Sequence, residues 1–148
     1  MPYEISTEIR IDASAQRVWE ILIDFARYPE WNHFLLKVKG ASVVDSRIRF
    51  TFELPRGLRA RACATVLKVI PEKELRWAGG VRGLFRAEHY FLIESADNGA
   101  IRFQHGEVFT GLFAPLIWRL LLARGGPPVY HGMNTALKER SEAPSITL

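Results

Sequence analysis

The sequence predicts an α+β protein in which a curved antiparallel sheet packs against a C-terminal helix. Three observations favour this class: one alternating segment at the N-terminus, two helix-like segments directly after it, and about six strand-like segments before a helical C-terminal region. Strands that follow one another without intervening helices pair as antiparallel neighbours. With 148 residues and 48% hydrophobic composition, the chain is long enough to bury one core.

The first strand and the first helix have the clearest patterns. The segment YEISTEIRI, residues 3–11, alternates between apolar and charged positions, as a half-buried strand does. In SAQRVWEILIDF the apolar residues fall at helical spacing, and either Asp12 or Ser14 can cap the helix. A second short helix is predicted at RYPEWNHF, where Pro29 suits a first helical turn.

The middle of the chain is predicted to form about six strands, which makes seven with the first. The segments are FLLKVKG, RIRFTFELP, RARACATVLKVI, KELRWAGGV, FRAEHYFLIES and IRFQHGEVF. RARACATVLKVI is long enough to be one bent strand, in which we expect Cys63 to be a small buried residue. Trp118, in the apolar segment that follows the last strand, is expected to pack against the sheet or to face a partner.

Two helical segments end the chain, and RGGPP stands between them. Proline and glycine are poor helix formers, so we expect a break near Gly125. The break is either a plain loop between two helices or a hinge over a binding site. We expect a single domain over residues 1–141 and a frayed tail over residues 142–148.

The turn ADNGA sets the register of the last hairpin. A three-residue loop of Asp97, Asn98 and Gly99 suits a type I turn closed by a left-handed glycine. This register pairs apolar residues with one another, and it sets Ile93 opposite Phe103, Phe91 opposite His105 and His89 opposite Glu107. A shift by one residue would pair apolar with polar side chains. His89, His105 and Glu107 should therefore share one face of one hairpin.

Charge and cysteine content narrow the function classes. Between Arg47 and Arg86 there are ten basic residues against three acids, a net +7 within a chain of net +4. This segment is either a set of solvated strand faces or a surface that contacts phosphate or anionic lipid. The basic residues form no nucleic-acid motif, so no nucleic-acid partner is expected. A single cysteine and the lack of a signal peptide favour a cytoplasmic protein.

The order of these elements and four segments resemble the SRPBCC superfamily, and in particular its small single-domain bacterial members. This superfamily includes START-like, polyketide cyclase/dehydrase and lipid-transport proteins. The segments are SAQRVWEILIDFARYPEWNHF, RAEHYFLIE, FQHGEVFTGLF and MNTALKERSE, and together they span nearly the whole chain.

The resemblance implies a helix-grip fold, in which the sheet wraps around a long C-terminal helix and encloses a cavity for an apolar or amphipathic small molecule. The sequence departs from the family at RGGPP, since the terminal helix of the family is usually continuous. It departs again at VVDSR, where the family often has a glycine.

The candidate site lies on the predicted inner face of the sheet. Four interpretations of His89, His105 and Glu107 remain open: they satisfy one another's hydrogen bonds, they anchor the polar end of a ligand, they act in proton transfer, or they bind a metal ion. No cofactor is expected, and nothing else in the sequence has metal-ligand spacing. The full set of candidate ligand-contacting residues is Trp31, Phe50, Phe52, Trp77, His89, Phe91, Phe103, His105, Glu107, Phe109 and Met133.

Three functions follow as hypotheses. The leading one is binding of a hydrophobic or amphipathic molecule, lipid-like or polyketide-like, between the sheet and the C-terminal helix. The second is a cyclase/dehydrase-type enzyme that uses the same histidines and Glu107 as a proton shuttle. The third is a protein- or membrane-interaction module that uses the basic segment 47–86.

Overall fold

A computed structural model of the chain describes residues 3–53, 55–123 and 126–144. Within these residues the chain forms seven strands, three α-helices and a 3-10 helix at Phe25–Glu30. In chain order the elements are β1 (Tyr3–Ile11), α1 (Ala15–Ile23), β2 (Leu35–Lys39), β3 (Arg47–Glu53), β4 (Arg59–Ile70), β5 (Glu74–Val81), β6 (Phe85–Ser95), β7 (Ile101–Thr110), α2 (Ala114–Ala123) and α3 (Gly126–Glu142).

All seven strands form one antiparallel sheet in the order β1-β7-β6-β5-β4-β3-β2. The sheet curls into a half-barrel, and α3 packs on β1, β7 and α1. Met133 and Leu137 of α3 are fully buried in the same core as Ile11, Phe91 and Phe103 of the sheet. The predicted α+β helix-grip fold is therefore confirmed.

Helix α1 begins where the sequence predicts. Of the two candidate caps, Ser14 is the one used, because its hydroxyl accepts a hydrogen bond from the Arg17 amide at 3.1 Å. The helix buries an apolar face that includes Val18 and Leu22. The second short helix differs from its prediction: it starts at Phe25, so Pro29 lies near its end rather than in its first turn.

The predicted register of the β6–β7 hairpin is confirmed. Opposed pairs include Ile93 with Phe103, Phe91 with His105, and His89 with Glu107. The turn itself differs from the prediction, because both Asn98 (φ 55°) and Gly99 (φ 75°) adopt left-handed backbone conformations. Asparagine tolerates that conformation better than most residues, so the three-residue loop keeps its length while it changes its type.

Cys63 corrects another expectation, since its side chain is exposed. It lies on β4 between Ala62 and Ala64, and Ala64 packs in the core. Successive side chains of a strand point to opposite faces. The two alanines therefore take the inner face of the sheet and direct Cys63 outward.

The C-terminal region forms two separate helices. Helix α2 ends at Ala123 and α3 begins at Gly126, and the predicted break near Gly125 lies outside the described residues. Helix α3 extends to Glu142, the first residue of the predicted tail, and residues 145–148 lie outside the described part. Among the described residues no helix has the length and apolar character needed to cross a membrane.

Candidate functional site

The three polar side chains of the hairpin meet on the inner face of the sheet. His105 is fully buried, His89 is 5% exposed, and the side chain of Glu107 keeps 16% of its surface exposed. Nε2 of His89 lies 2.6 Å from Nε2 of His105. Nδ1 of His89 lies 3.5 Å from Oε2 of Glu107. The trio is thus a continuous chain of polar groups that runs from the closed core to a partly open end.

Two residues on other elements extend this chain at its closed end. Nδ1 of His105 lies 2.8 Å from Oδ1 of Asn134 on α3. The amide nitrogen of Asn134 donates to the hydroxyl of Thr7 on β1 at 2.8 Å. The hydroxyl of Thr7 donates in turn to the backbone carbonyl of His105 at 2.7 Å. These contacts close a small ring of hydrogen bonds around the imidazole.

A backbone carbonyl only accepts, and this fixes the direction of every bond in the ring. The hydroxyl of Thr7 donates its single proton to the carbonyl of His105 and can only accept from Asn134. The Asn134 group that faces Thr7 must therefore be the amide nitrogen, which donates. The remaining Asn134 oxygen accepts from Nδ1–H of His105. Neutral His105 therefore carries its proton on Nδ1 and offers Nε2 as an acceptor.

The hydrogen bond between the two histidines also determines which nitrogen of His89 faces the open end of the chain. His89 donates through Nε2–H to His105, which leaves Nδ1 of His89 facing the carboxyl group of Glu107. Tyr130 of α3 donates its hydroxyl proton to the same Glu107 oxygen. Nδ1 of His89 and Oε2 of Glu107, 3.5 Å apart, form the open end of the chain.

Burial sets the protonation of the two flanking groups. The pKa of His105 lies well below its ordinary value, first because burial disfavours the imidazolium and then because His89 adds like charge. The pKa of Tyr130 lies well above its ordinary value, first because of burial and then because of the Glu107 charge. His105 therefore stays neutral, and the phenol of Tyr130 remains a donor to Glu107.

Aromatic rings enclose the polar chain. Trp77 stacks on His89 at a centroid distance of 5.3 Å, and Phe91 stacks on His105 at 4.8 Å. These rings fill space as part of the core. The same holds for most of the sequence-predicted contact residues, each at most 5% exposed: Trp31, Trp77, Phe91, Phe103, Phe109 and Met133.

A different part of the inner face remains half exposed. Phe50 and Phe52 of β3 are only partly buried, as is Phe34, whose ring contacts Tyr130 at a centroid distance of 5.4 Å. Small half-buried residues lie on the neighbouring strands, namely Ala62 of β4, Gly79 of β5 and Ala87 of β6. We call Phe34, Phe50, Phe52, Ala62, Gly79 and Ala87 the inner wall.

The inner wall and the polar chain meet at one point. Phe34 contacts Tyr130, and Tyr130 donates to Oε2 of Glu107. The other carboxyl oxygen of Glu107, Oε1, makes no hydrogen bond within the described residues. An apolar surface thus ends at a carboxyl oxygen that is free to bind a polar group.

The geometry does not favour a metal site. Within the described part of the chain, no group of three or more His, Cys, Asp and Glu side chains is arranged to hold a metal ion. The two imidazole nitrogens that would have to face a shared ion instead bond to each other at 2.6 Å.

The sequence analysis did not identify Thr7, Phe34, Tyr130 and Asn134. Thr7 gave a signal, because it is the polar residue on the apolar face of YEISTEIRI. Tyr130 and Asn134 lie four residues apart and thus on one face of α3, but nothing in their local pattern predicts contact with a distant hairpin. Only the packing of α3 against β1 and β7 brings these residues to the site.

Comparison with known proteins agrees with this architecture. The family model described as polyketide cyclase/dehydrase and lipid transport matches residues 2–142. The chain belongs to this family. A comparison with curated protein sequences finds no match.

Solved structures give the same fold at low sequence identity. The ZhuI aromatase/cyclase from Streptomyces sp. R1128 is 13% identical, with a TM-score of 0.77 over 96% of this chain and 94% of that one. A START superfamily protein from Mycobacterium smegmatis is 17% identical, with a TM-score of 0.71 over 94% and 97% of the two chains.

The di-domain aromatase/cyclase BexL, from the BE-7585A biosynthetic pathway, is 12% identical with a TM-score of 0.74. The match covers 97% of this chain but spans only about half, 51%, of BexL. At such identities the likeness establishes the fold alone, and the activity has to be argued from the site.

Proposed function

We propose that this family member binds a hydrophobic or amphipathic small molecule between the sheet and the C-terminal helices. The inner wall holds the apolar part of the molecule, and Oε1 of Glu107 binds its polar end. The observation that carries the proposal is the meeting of a half-exposed aromatic surface with one unpaired carboxyl oxygen. Ligand sites commonly combine a mostly apolar lining with a few placed polar groups.

The energetics favour an elongated or ring-shaped apolar ligand. Covering the exposed parts of Phe34, Phe50 and Phe52 removes apolar surface from water, at roughly 25 cal/mol per Å². The small side chains of Ala62 and Ala87 leave room beside the rings. Tyr130 and the buried network hold Glu107 in place before a ligand arrives, so little side-chain entropy is lost on binding.

The test is direct binding to the purified protein. Native mass spectrometry and tryptophan fluorescence would be used with long-chain fatty acids and aromatic polyketides. We expect at least one class to bind, the Phe52→Ser variant to weaken binding, and Glu107→Gln to weaken ligands with a hydroxyl head group most. Val44→Ser, an exposed apolar position on the β2–β3 turn, is the matched control. No binding by either class would reject the proposal.

A second candidate function is cyclase/dehydrase-type catalysis at the same site. The geometry favours it, because the imidazole of His89 lies 3.5 Å from the carboxyl group of Glu107 beside the inner wall. A carboxyl group poised in this way can take a proton from a bound molecule and return it at another atom. His105 and Asn134 would act as positioning residues, since they orient His89 without facing the ligand.

The two functions differ in one measurable respect. A catalytic role requires that the protein turns over a poly-β-keto substrate. The Glu107→Gln variant should then lose this turnover but still bind the cyclised product. Turnover that is unchanged in Glu107→Gln would exclude the catalytic role and leave the binding function standing.

A further inference from the structure

Six large apolar side chains are exposed at one end of the molecule. They belong to the β5–β6 turn, the segment after β7, and helix α2, and each is between 42% and 71% exposed. Isolated exposed apolar residues are normal, but a contiguous group indicates a contact surface. We call Val81, Leu84, Leu112, Phe113, Leu116 and Leu120 the apolar patch.

The patch is continuous because its segments are bonded to one another. The Phe113 amide donates to the Leu84 carbonyl at 2.9 Å, and the Leu112 amide donates to the Gly83 carbonyl at 3.4 Å. Leu116 and Leu120 lie four residues apart on α2, so they share one face of the helix. The backbone therefore holds the side chains together on a preformed surface.

The chain segments that form the patch carry basic residues and no acidic ones. The sequence has no Asp or Glu from Val108 to Lys138, nor from Leu75 to Ala87. Arg82 of the turn and Arg119 of α2 are exposed. Neither forms an ion pair with another described residue, so both are available to an anionic partner.

A groove on the outer face of the sheet borders the patch. It has a volume of about 620 Å³, and Arg47, Arg82 and Arg86 line it. Thr65, Ala78, Gly80 and Thr110 also contribute to its lining, together with Gly83 and Gly111 from the two segments of the patch.

The groove is basic in its surroundings as well. The nearby carboxylate of Glu88 is held by Arg76 at 3.0 Å and by Arg86 at 3.4 Å. The lining itself contains no acidic side chain. The groove therefore offers an anionic head group three arginines. Arg47 and Arg82 have no acidic partner among residues 3–53, 55–123 and 126–144, and Arg86 lies beside them.

We propose that this end of the molecule docks on an anionic lipid bilayer. The apolar patch enters the boundary between head groups and acyl chains, and the groove binds an anionic head group. Apolar side chains flanked by arginines can hold a protein at such an interface. The apolar contribution to the binding free energy grows with the apolar area buried, and the electrostatic contribution grows with the negative charge of the membrane surface. Of the inner wall, only Gly79 also lines the groove, and the proposal does not depend on the ligand proposed above.

Charge argues against a second copy of this chain as the occupant. In a two-fold symmetric contact each surface meets its own copy. A surface that carries Arg82 and Arg119 would then meet an identical basic surface, and the patch segments supply no acid to pair with these arginines. Like charges in that position repel, whereas an anionic bilayer neutralises them.

The experiment is vesicle co-sedimentation of the full chain. Vesicles of phosphatidylcholine alone are compared with vesicles that contain phosphatidylglycerol, at low and at high salt. Two double variants test the two parts of the surface: Leu112→Ser with Leu116→Ser, and Arg82→Gln with Arg119→Gln. The matched control is Ile70→Ser with Lys73→Gln, which removes an exposed apolar side chain and a cation at the opposite end of β5.

We expect binding to the anionic vesicles that weakens at high salt. The Arg82→Gln with Arg119→Gln variant should bind anionic vesicles about thirtyfold more weakly, because each lost cation contributes roughly 1 kcal/mol to binding. The two serine substitutions should weaken it at least about tenfold, and the control should bind as the unchanged protein does. Melting curves establish that each variant is folded.

Three results would overturn the proposal. The first is no sedimentation with anionic vesicles at low salt. The second is equal loss of binding in the control pair, which indicates non-specific attraction. The third is a dimer in solution that Leu112→Ser with Leu116→Ser dissociates while vesicles bind nothing, which would assign the patch to a second copy. An inner-wall variant such as Phe52→Ser should keep vesicle binding even if no small ligand is found.

Discussion

The side chain of Asn134 on the last helix determines which nitrogen of His105 carries a proton. The bond is 2.8 Å long, and its direction is set by Thr7 and ultimately by the carbonyl of His105 itself. The side chain of Asn134 on α3 therefore determines which hairpin nitrogens donate and which accept, first at His105 and then at His89. The first prediction concerns this dependence.

Thr7→Val is expected to lower the free energy of unfolding by about 1–3 kcal/mol. The change keeps the shape of the side chain but leaves the Asn134 amide and the His105 carbonyl without their partner in a buried site. Urea unfolding measures the loss. Thr110→Val, at an exposed position of β7, is the control and should stay within about 0.5 kcal/mol.

The imidazole tautomer gives a second check of the same network. In nitrogen-15 NMR spectra, neutral His105 should show a protonated Nδ1 and an unprotonated Nε2. The opposite tautomer would contradict the hydrogen-bond directions derived above.

Stability should fall in mild acid partly because of His105. Its pKa in the folded protein lies well below the ordinary value of 6.5. The unfolded chain therefore takes up a proton at His105 near pH 6.5, while the folded protein does not. Stability is lost as the pH falls from about 6.5 toward the lower folded value, with a slope of at most about 1.4 kcal/mol per pH unit.

His105→Gln should remove this contribution. The comparison is the slope of unfolding free energy against pH between pH 5 and pH 7, measured for the unchanged protein and the variant. His33→Gln replaces an exposed histidine and should keep the original slope. Equal slopes in the unchanged protein and His105→Gln would contradict the assignment.

Gly106 is expected to tolerate no side chain. A Cβ atom there would lie 2.3 Å from the Tyr90 hydroxyl and 2.4 Å from the Ile5 carbonyl oxygen. The backbone oxygen cannot move away without breaking the β1–β7 pairing, so Gly106→Ala should cost about 3 kcal/mol or more.

Gly132→Ala is the matched comparison for this change. Gly132 lies in α3, and a Cβ atom there would meet nothing within 4 Å. Because alanine favours helix more than glycine, this variant should gain about 0.5–1 kcal/mol. Thermal unfolding of both variants measures the contrast, and similar melting temperatures would argue against the close approach at Gly106.

Filling the inner wall should block ligand binding without unfolding the protein. Ala62→Leu adds volume at a half-buried position of the wall and should weaken binding of any apolar ligand at least about tenfold. Stability should change by less than about 1.5 kcal/mol, because Ala62 is only half buried and the added side chain is not forced into the core. Titration by tryptophan fluorescence measures the affinity. Unchanged affinity would place the ligand elsewhere.

The predictable part of the fold was its local pattern. The register of the hairpin could be predicted from its turn residues, from the alternation of its strands and from the pairing of apolar residues with apolar residues. The neighbourhood of His89, His105 and Glu107 followed from that register. The unpredicted part depends on elements far apart in the chain. Asn134 and Tyr130 reach the site only because α3 packs against β1 and β7, and no local pattern contains that packing.

The sequence also did not predict which residues of the inner face are buried and which are exposed. Phe91 and Phe103, two of the predicted ligand contacts, are fully buried, while Phe34, which was not among the predicted contacts, is half exposed. All three rings are aromatic, so composition does not distinguish them. Helix α3 packs on β1 and β7 and α1 contacts β6, whereas Phe50 and Phe52 of β3, farther along the sheet, stay partly exposed.

The two oxygens of Glu107 are not equivalent. Oε2 accepts from Tyr130 and lies 3.5 Å from Nδ1 of His89, so a ligand meets the other oxygen, Oε1, which acts as an acceptor. The site would therefore prefer a molecule whose polar end donates, such as an alcohol or an amine, over a ketone, which only accepts. One tyrosine of the last helix thereby selects the head group of the ligand while the apolar surface selects its body.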